Sequence, residues 1–164
     1  MRFLVWSLLF GVCISTQAFG QDVQIVCHWG VDGKNKLDTK TGVYEHDMVI
    51  GDPEYTTIRF TDEENTQVMK VADSIGFFQM PHDVPYVPRR VDSTLIGFDM
   101  VQPCGTYFIK IVTETDSNWV AWNDCIEPLV ERSEALDILL ASVIRIVMDR
   151  PEYKALPRPR GAYQ

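Results

Sequence analysis

The chain has 164 residues, of which 46% are hydrophobic, and it carries 15 basic against 23 acidic residues. The formal net charge of −8 argues against a phosphate-led interaction with nucleic acid or with anionic lipid. The length fits one domain, and the hydrophobic content suffices for a core that depends on neither metals nor many disulfides.

The first 20 residues have the three-part layout of a cleavable secretory signal. Arg2 supplies the positive start, an apolar run follows at 3–14, and the small residues Ala18 and Gly20 precede a predicted cut after Gly20. That run is shorter than the roughly 20 residues that a membrane-spanning helix needs. Loss of Arg2 lowers the basic count from 15 to 14 against 23 acidic residues, so the exported chain has a net charge of −9. We therefore predict a periplasmic or secreted protein.

Three cysteines remain after this cut, so the chain holds at most one internal disulfide and one further thiol. Export permits disulfide formation. Cys104 and Cys125 flank a predicted hairpin and are therefore the predicted pair, which leaves Cys27 as a buried or free thiol. A loop of this length gains about 3 kcal/mol from closure in the chain-entropy model.

The N-terminal half of the exported chain predicts strands and turns. Alternating, β-branched residues favour three strands, at 23–27, 43–50 and 55–60. Residues 30–42 are rich in glycine, aspartate and asparagine, and they predict a connection without a strand.

A helix is predicted after the third strand. Thr61 can cap its first turn while Glu64 reaches back, and apolar residues at helical spacing follow up to Ile75. Gly76 is suited to end this helix. Phe77 and the aromatic residue after it are expected to close over the core.

The C-terminal half predicts a proline-rich loop, three strands and a second helix. The loop covers 82–90, and the strands are placed at 95–101, 107–113 and 119–123. A turn at 114–117, which Asn118 can share, joins the last two strands. Trp119 and Trp122 should lie on opposite faces of their strand, one in the core and the other at least partly exposed.

The second helix is predicted at 134–149, with Ser133 as its cap and Pro151 as its end. It is apolar nearly all round, which indicates burial on more than one side. We predict an α+β fold with a mainly antiparallel sheet and both helices on one face. Residues 1–20 form the signal, 21–150 a single domain and 151–164 an extended, proline-rich basic tail.

Cys27 and His28, together with His46 and Asp47, form the one cluster that resembles a reactive site. A thiol nucleophile needs a base, and that base needs an orienting partner. Adjacent strand residues point to opposite faces, however, so Cys27 and His28 cannot share a pocket without a bulge. With His82 these residues could also bind zinc, but the usual two-to-four-residue ligand spacing is absent. We predict no cofactor and no metal site, and a thiol- or metal-dependent protein is kept as the alternative hypothesis.

Two segments are candidates for binding a partner. A tryptophan exposed on a sheet can anchor a partner protein, and a proline-rich loop loses little entropy on binding. The alternatives without a binding role are a tryptophan covered by a neighbouring loop and a proline-rich loop that is only a spacer. The candidate binding residues are Phe77, Phe78, Pro81, Arg89, Arg90, Trp119 and Trp122.

Gly76-Phe77-Phe78 and Pro81, placed between a helix and later strands, resemble emfourin-type domains. The resemblance extends over about 55–147, and a similar layout occurs in small exported bacterial domains. It implies a compact α+β fold and, from the characterised members, inhibition of thermolysin-like metalloproteases. We therefore expect an exported, non-enzymatic binding domain, with inhibition of an extracytoplasmic protease as one hypothesis. An enzyme and a structural envelope component are the alternatives.

Overall fold

The structure is a computed structural model that describes residues 23–84, 90–92, 95–96, 103–125 and 130–163. The predicted secretory signal lies outside these residues. Within them the chain forms an α+β fold, built on a six-stranded antiparallel sheet, as the sequence predicts. None of the helices in this part of the chain has the length and apolar character needed to cross a membrane.

The elements follow one another in the order strands, helix, strands, helices. The strands are β1 (Gln24–Trp29), β2 (Asn35–Asp38), β3 (Val43–His46), β4 (Glu54–Thr57), β5 (Arg90–Asp92), β6 (Leu95–Ile96), β7 (Thr106–Val112) and β8 (Ser117–Asn123). The helices are α1 (Asp62–Ser74), α2 (Val130–Asp149) and α3 (Pro151–Lys154), with a 3-10 turn at Phe77–Gln79.

The large sheet has the strand order β4-β3-β2-β1-β7-β8. The first four strands form a meander, β7 and β8 form a hairpin, and the pairing of β1 with β7 joins the two parts. Cys27 in the middle of β1 lies opposite Leu37 of β2 and Ile109 of β7. Because residues directly opposite each other share a face, these three side chains point to the same side of the sheet.

Only one face of this sheet carries the main core, because α1 and α2 cover it and contact each other there. The buried sheet side chains on this face are Ile25, Cys27, Leu37, Tyr44, His46, Ile109, Ile111, Asn118, Val120 and Trp122. The helices contribute Val68, Met69, Ala72, Leu136, Leu139, Leu140, Val143, Ile146 and Val147. The prediction of both helices on one face is therefore confirmed.

The start of α1 follows the sequence prediction closely. Thr61 accepts a hydrogen bond from the backbone N–H of Glu64, and the Glu64 side chain accepts one from the Thr61 N–H at 2.8 Å. This reciprocal pair satisfies two backbone donors that a helix start leaves without partners. Ile75 ends the helix, and Gly76 follows with a φ of 67°, a left-handed conformation that glycine adopts without strain.

Two strand predictions need correction. Residues 30–42 are not a plain connection, because they contain β2, whose only apolar side chain is Leu37. The predicted strand at 43–50 ends at His46, and Val49 beyond it has a φ of 64°. A β-branched residue rarely adopts this backbone region. The Ile50 N–H donates to the Met48 carbonyl at 2.7 Å, so the chain makes a tight turn here.

The hairpin of β7 and β8 places Trp119 and Trp122 on opposite faces, as predicted, with Trp122 buried and Trp119 half-buried. β8 begins at Ser117, so Asn118 is a buried strand residue and does not belong to the turn. Cys104 and Cys125 at the base of the hairpin form the predicted disulfide.

The C-terminal elements also differ from prediction. Helix α2 begins at Val130, so Ser133 lies inside the helix and does not cap it. Ile138 is 60% exposed, and the predicted burial on more than one side is wrong for this part of the helix. Pro151 ends α2 but also starts α3, because proline is well suited to the first turn of a helix.

The proline-rich segment is described only in part. Asp83 pairs in parallel with Ala121 and so covers the outer edge of β8, while 85–89 lie outside the described residues. Arg90 belongs to β5, although the sequence predicts a loop there. Of the strand predicted at 95–101, the structure describes the first two residues, which form β6.

Candidate functional site

A cavity of about 340 Å³ lies at the end of the sheet where β1 and β3 finish and β2 starts. This volume is within the range of small-molecule sites. We call it the aromatic cavity. It is lined by Trp29, Gly30, Val31, Asn35, Tyr44, His46, Asp47, Val49, Ile144, Met148, Tyr153, Pro159 and Tyr163.

The walls of the aromatic cavity are rings held against one another. Trp29 stacks on Tyr44 with ring centroids 5.6 Å apart. Tyr153 of α3 lies 5.9 Å from Tyr44 and meets His46 edge-on at 5.6 Å. The two-residue period of β3 places Tyr44 and His46 on the same, core-facing side of that strand, and both are buried.

Hydrogen bonds fix the floor of the aromatic cavity. The Asn35 Oδ1 accepts from the Tyr44 hydroxyl and from the backbone N–H of Asp47, both at 3.1 Å. The Tyr44 hydroxyl is also 3.1 Å from the Nδ1 of His46. Burial raises the pKa of Tyr44 well above its usual range, so the phenol stays neutral.

Burial lowers the pKa of His46 and so favours the neutral imidazole, while the negative charges of Asp47 and Glu54 and the Pro157 backbone act in the opposite direction. The Nδ1 of the ring lies 3.1 Å from the Tyr44 hydroxyl, so the protein itself holds this side of the imidazole.

The C-terminal segment closes one side of the aromatic cavity. The Arg160 N–H donates to the Met48 carbonyl at 3.1 Å, and the Tyr163 hydroxyl donates to Asp47. The other oxygen of Asp47 accepts from the N–H of Val49 at 2.9 Å. Asp47 thus links the sharp turn after β3 to the C-terminal segment, and Tyr163 becomes part of the wall.

The structure does not bring Cys27, His28 and His46 together. Cys27 is fully buried in the core, and burial raises the pKa of its thiol far above the usual range. His28 lies on the opposite face of β1, as the alternation predicts, beside Phe108. Of this predicted cluster, His46 and Asp47 line the aromatic cavity, and the geometry offers no base to the thiol.

The candidate partner-binding residues lie in different environments. Phe77 is fully buried and Trp122 is 6% exposed, so both side chains belong to the core. Phe78 is half-buried and packs against that core, and Pro81 is exposed. Arg89 lies outside the described residues, and Arg90 is described only as the start of β5.

Trp119 is covered by a neighbouring residue, which agrees with the alternative in which this tryptophan has no binding role. The His82 ring lies 4.1 Å from the Trp119 ring, and Phe108 flanks the same tryptophan at 6.0 Å. His82 is held there because its carbonyl accepts from the Ala121 N–H at 2.8 Å.

Cys104, Asp124 and Cys125 place possible metal-ligand atoms within 4.8 Å of one another. The two sulfurs are bonded to each other, and the Asp124 carboxylate accepts from the Gly105 N–H and from the Tyr107 hydroxyl. The cluster is therefore a disulfide at the base of a hairpin with a carboxylate that caps its backbone. It supplies no free ligand set for a metal.

Sequence reasoning missed most of the aromatic cavity. The spacing of Tyr44 and His46 on one strand would have placed both on one face, and this signal was present. Tyr153 and Tyr163 belong to a segment that the sequence predicts as an extended tail, so no periodicity pointed to them. Trp29 stands just past the predicted end of the first strand.

No protein-family model matches the chain, and a search of curated proteins gives no significant match. The resemblance to emfourin-type domains therefore stays a prediction.

Proposed function

We propose that the chain is an exported, non-enzymatic binding domain whose recognition site is the aromatic cavity. The observation that carries this proposal is the convergence of Trp29, Tyr44, His46, Tyr153 and Tyr163 on one space of about 340 Å³. Small-molecule sites are typically concave and mostly apolar, with a few fixed polar groups. Asn35 and Asp47 supply such groups here.

The engagement of the polar groups favours binding over catalysis. The Nδ1 of His46 lies beside the Tyr44 hydroxyl, and both oxygens of Asp47 accept hydrogen bonds from the protein. A general base needs a free nitrogen or oxygen within reach of the proton that it removes. The one free cysteine of the described residues is sealed in the core. These contacts support a rigid site that recognises a ligand.

Export is the compartment that we propose for this function. The disulfide between Cys104 and Cys125 is compatible with an oxidising compartment. The N-terminal signal pattern gives the reason to expect export. N-terminal sequencing of the protein recovered from the periplasm or the medium would test it, and a chain that starts at Met1 in the cytoplasm would contradict it.

A fragment survey by NMR tests the binding proposal. Purified protein is mixed with small aromatic, cationic and sugar-like fragments, and amide and indole N–H shifts are followed. We expect shifts centred on Trp29 and His46, and loss of these shifts in Tyr153→Ala. Tyr55→Ala is the matched control, since Tyr55 is 60% exposed and does not line the cavity.

The result against the proposal would be a folded protein in which no fragment shifts the cavity residues, or in which binding survives Tyr153→Ala unchanged. Retention of the remaining NMR spectrum in Tyr153→Ala shows that the variant is folded. The survey thus separates loss of the site from loss of the fold.

A protein partner is the proposal that follows from the emfourin-type resemblance. It is tested by incubating the purified domain with a thermolysin-like protease and measuring residual peptidase activity. Inhibition would support it. Rapid cleavage of the domain without loss of protease activity would contradict it.

A further inference from the structure

We infer that the aromatic cavity takes a small organic cation, of the alkylated ammonium class. This inference rests on the proposed binding function of the cavity and goes on to define the chemistry of the ligand. Three features of the lining carry it: aromatic rings, a single charged residue of negative sign, and apolar side chains suited to alkyl substituents.

The aromatic rings are the first feature. Trp29, Tyr44, Tyr153 and Tyr163 all line the space, and the π-system of each ring has negative potential over its face. Tryptophan and tyrosine are the side chains that best attract a cation placed over the ring. Sites that recognise alkylated ammonium groups are built from such rings.

The charge of the lining is the second feature. Among the residues that line the cavity, Asp47 is the acidic one, and neither lysine nor arginine is present. Burial lowers the pKa of His46 and so favours its neutral form. The lining residues therefore carry a net negative charge.

The apolar side chains distinguish an organic cation from a metal ion. Ile144, Met148 and Pro159 form part of the wall, next to the rings. A hard metal cation needs six or more oxygen ligands, and the one carboxylate here already accepts two hydrogen bonds from the protein. Alkyl groups on an ammonium nitrogen match this wall and need no such ligand shell.

One ring of the wall already binds a cation within the chain. The Nζ of Lys34, a residue outside the lining, lies 4.7 Å from the centroid of the Tyr163 ring. This contact places an ammonium group at cation–π distance from a cavity residue. The net charge of −8 also attracts cations toward the molecule over longer distances.

A pair of probes with one shape and two charges tests the inference. Choline and 3,3-dimethylbutan-1-ol differ by a quaternary nitrogen in place of a quaternary carbon. Each is titrated into the purified protein, and the shifts of the Trp29 indole and of His46 give the dissociation constant. We expect choline to bind about tenfold more tightly, because each desolvated cation–π contact strengthens binding by several-fold to more than tenfold.

Variants of Tyr153 distinguish the contribution of its aromatic ring to binding from that of its side-chain volume. Tyr153→Phe keeps a ring face and should retain the preference for choline. Tyr153→Leu keeps apolar bulk without a ring, and it should bring the two dissociation constants closer together by several-fold. Unchanged backbone shifts elsewhere show that both variants are folded.

The outcomes separate this inference from the function beneath it. Equal binding of both probes, or tighter binding of the alcohol, would overturn the cation inference and leave the binding function supported. Absence of choline binding would also overturn the inference, and the wider fragment survey then decides the function independently. A preference for choline that survives Tyr153→Leu unchanged would overturn the assignment of the ring faces.

Discussion

Asn118 fastens the 3-10 turn after α1 to the edge strand β8. Its amide Nδ2 donates to the carbonyl of Phe77 at 2.6 Å and to the carbonyl of Met80 at 3.1 Å. The side chain is 7% exposed, so water has little access to these carbonyls. The Phe77 carbonyl also accepts from the Met80 N–H at 3.1 Å, so Asn118→Ala would remove one of two donors from Phe77 and the side-chain donor from Met80.

The expected loss follows from these two contacts. A buried polar group left without a partner costs about 1–3 kcal/mol. Met80 is half-buried, and its carbonyl can recover part of this cost by contact with water. We therefore expect Asn118→Ala to lower the free energy of unfolding by about 1–2 kcal/mol. Asn118→Asp should lose at least as much, because it presents an oxygen or a charge to one or both carbonyl oxygens.

Urea unfolding followed by tryptophan fluorescence measures this loss, with Ser117→Ala as the control on an exposed neighbour in the same strand. The control should stay within about 0.5 kcal/mol of the parent chain. A loss below 0.5 kcal/mol in Asn118→Ala, with an unchanged dependence on urea, would refute the role assigned to the two hydrogen bonds.

Three further predictions concern the cysteines and His46. Replacing Cys104 and Cys125 by serine should destabilise the fold by about 3 kcal/mol in urea unfolding, and an unchanged midpoint would contradict this. Cys27 should react with a thiol reagent only after denaturation, because it is fully buried, and rapid labelling of the native protein would contradict its placement in the core. Burial lowers the pKa of His46, so the unfolded chain binds a proton more readily below about pH 6.5. The free energy of unfolding should therefore fall from pH 7.5 to 5.0, and it should fall by less in His46→Gln. An equal fall in both proteins would contradict the lowered pKa of His46.

The sequence predicted those elements that are determined by residues close to one another in the chain. The capping box of Thr61 and Glu64 depends on neighbours three positions apart, and the structure has both of its hydrogen bonds. Trp119 and Trp122 follow the period of two that any strand imposes. The disulfide was predicted because three cysteines allow at most one internal pair, and because Cys104 and Cys125 flank a predicted hairpin.

The remainder depends on contacts that distant residues supply. β2 has a single buried apolar side chain, Leu37, and it is a strand because β1 and β3 satisfy its backbone on both sides. The aromatic cavity joins β1 and β3 to a C-terminal segment more than 100 residues later, as the contact of Tyr163 with Asp47 illustrates. Which of Trp119 and Trp122 is buried was likewise set by the helices that cover one face of the sheet.

The joint between β1 and β7 has a consequence for the kinetics of folding. β1 to β4 pair with their neighbours in sequence, and so do β7 and β8. The pairing of Ile25 with Ile111, by contrast, joins two strands that are far apart in the sequence. Pairing over such a separation is slow, because closure entropy is lost before contacts compensate for it. The disulfide spans only the β7–β8 hairpin, so it does not shorten the search that joins the two halves. Reduction should therefore change the unfolding equilibrium more than the rate at which this joint forms.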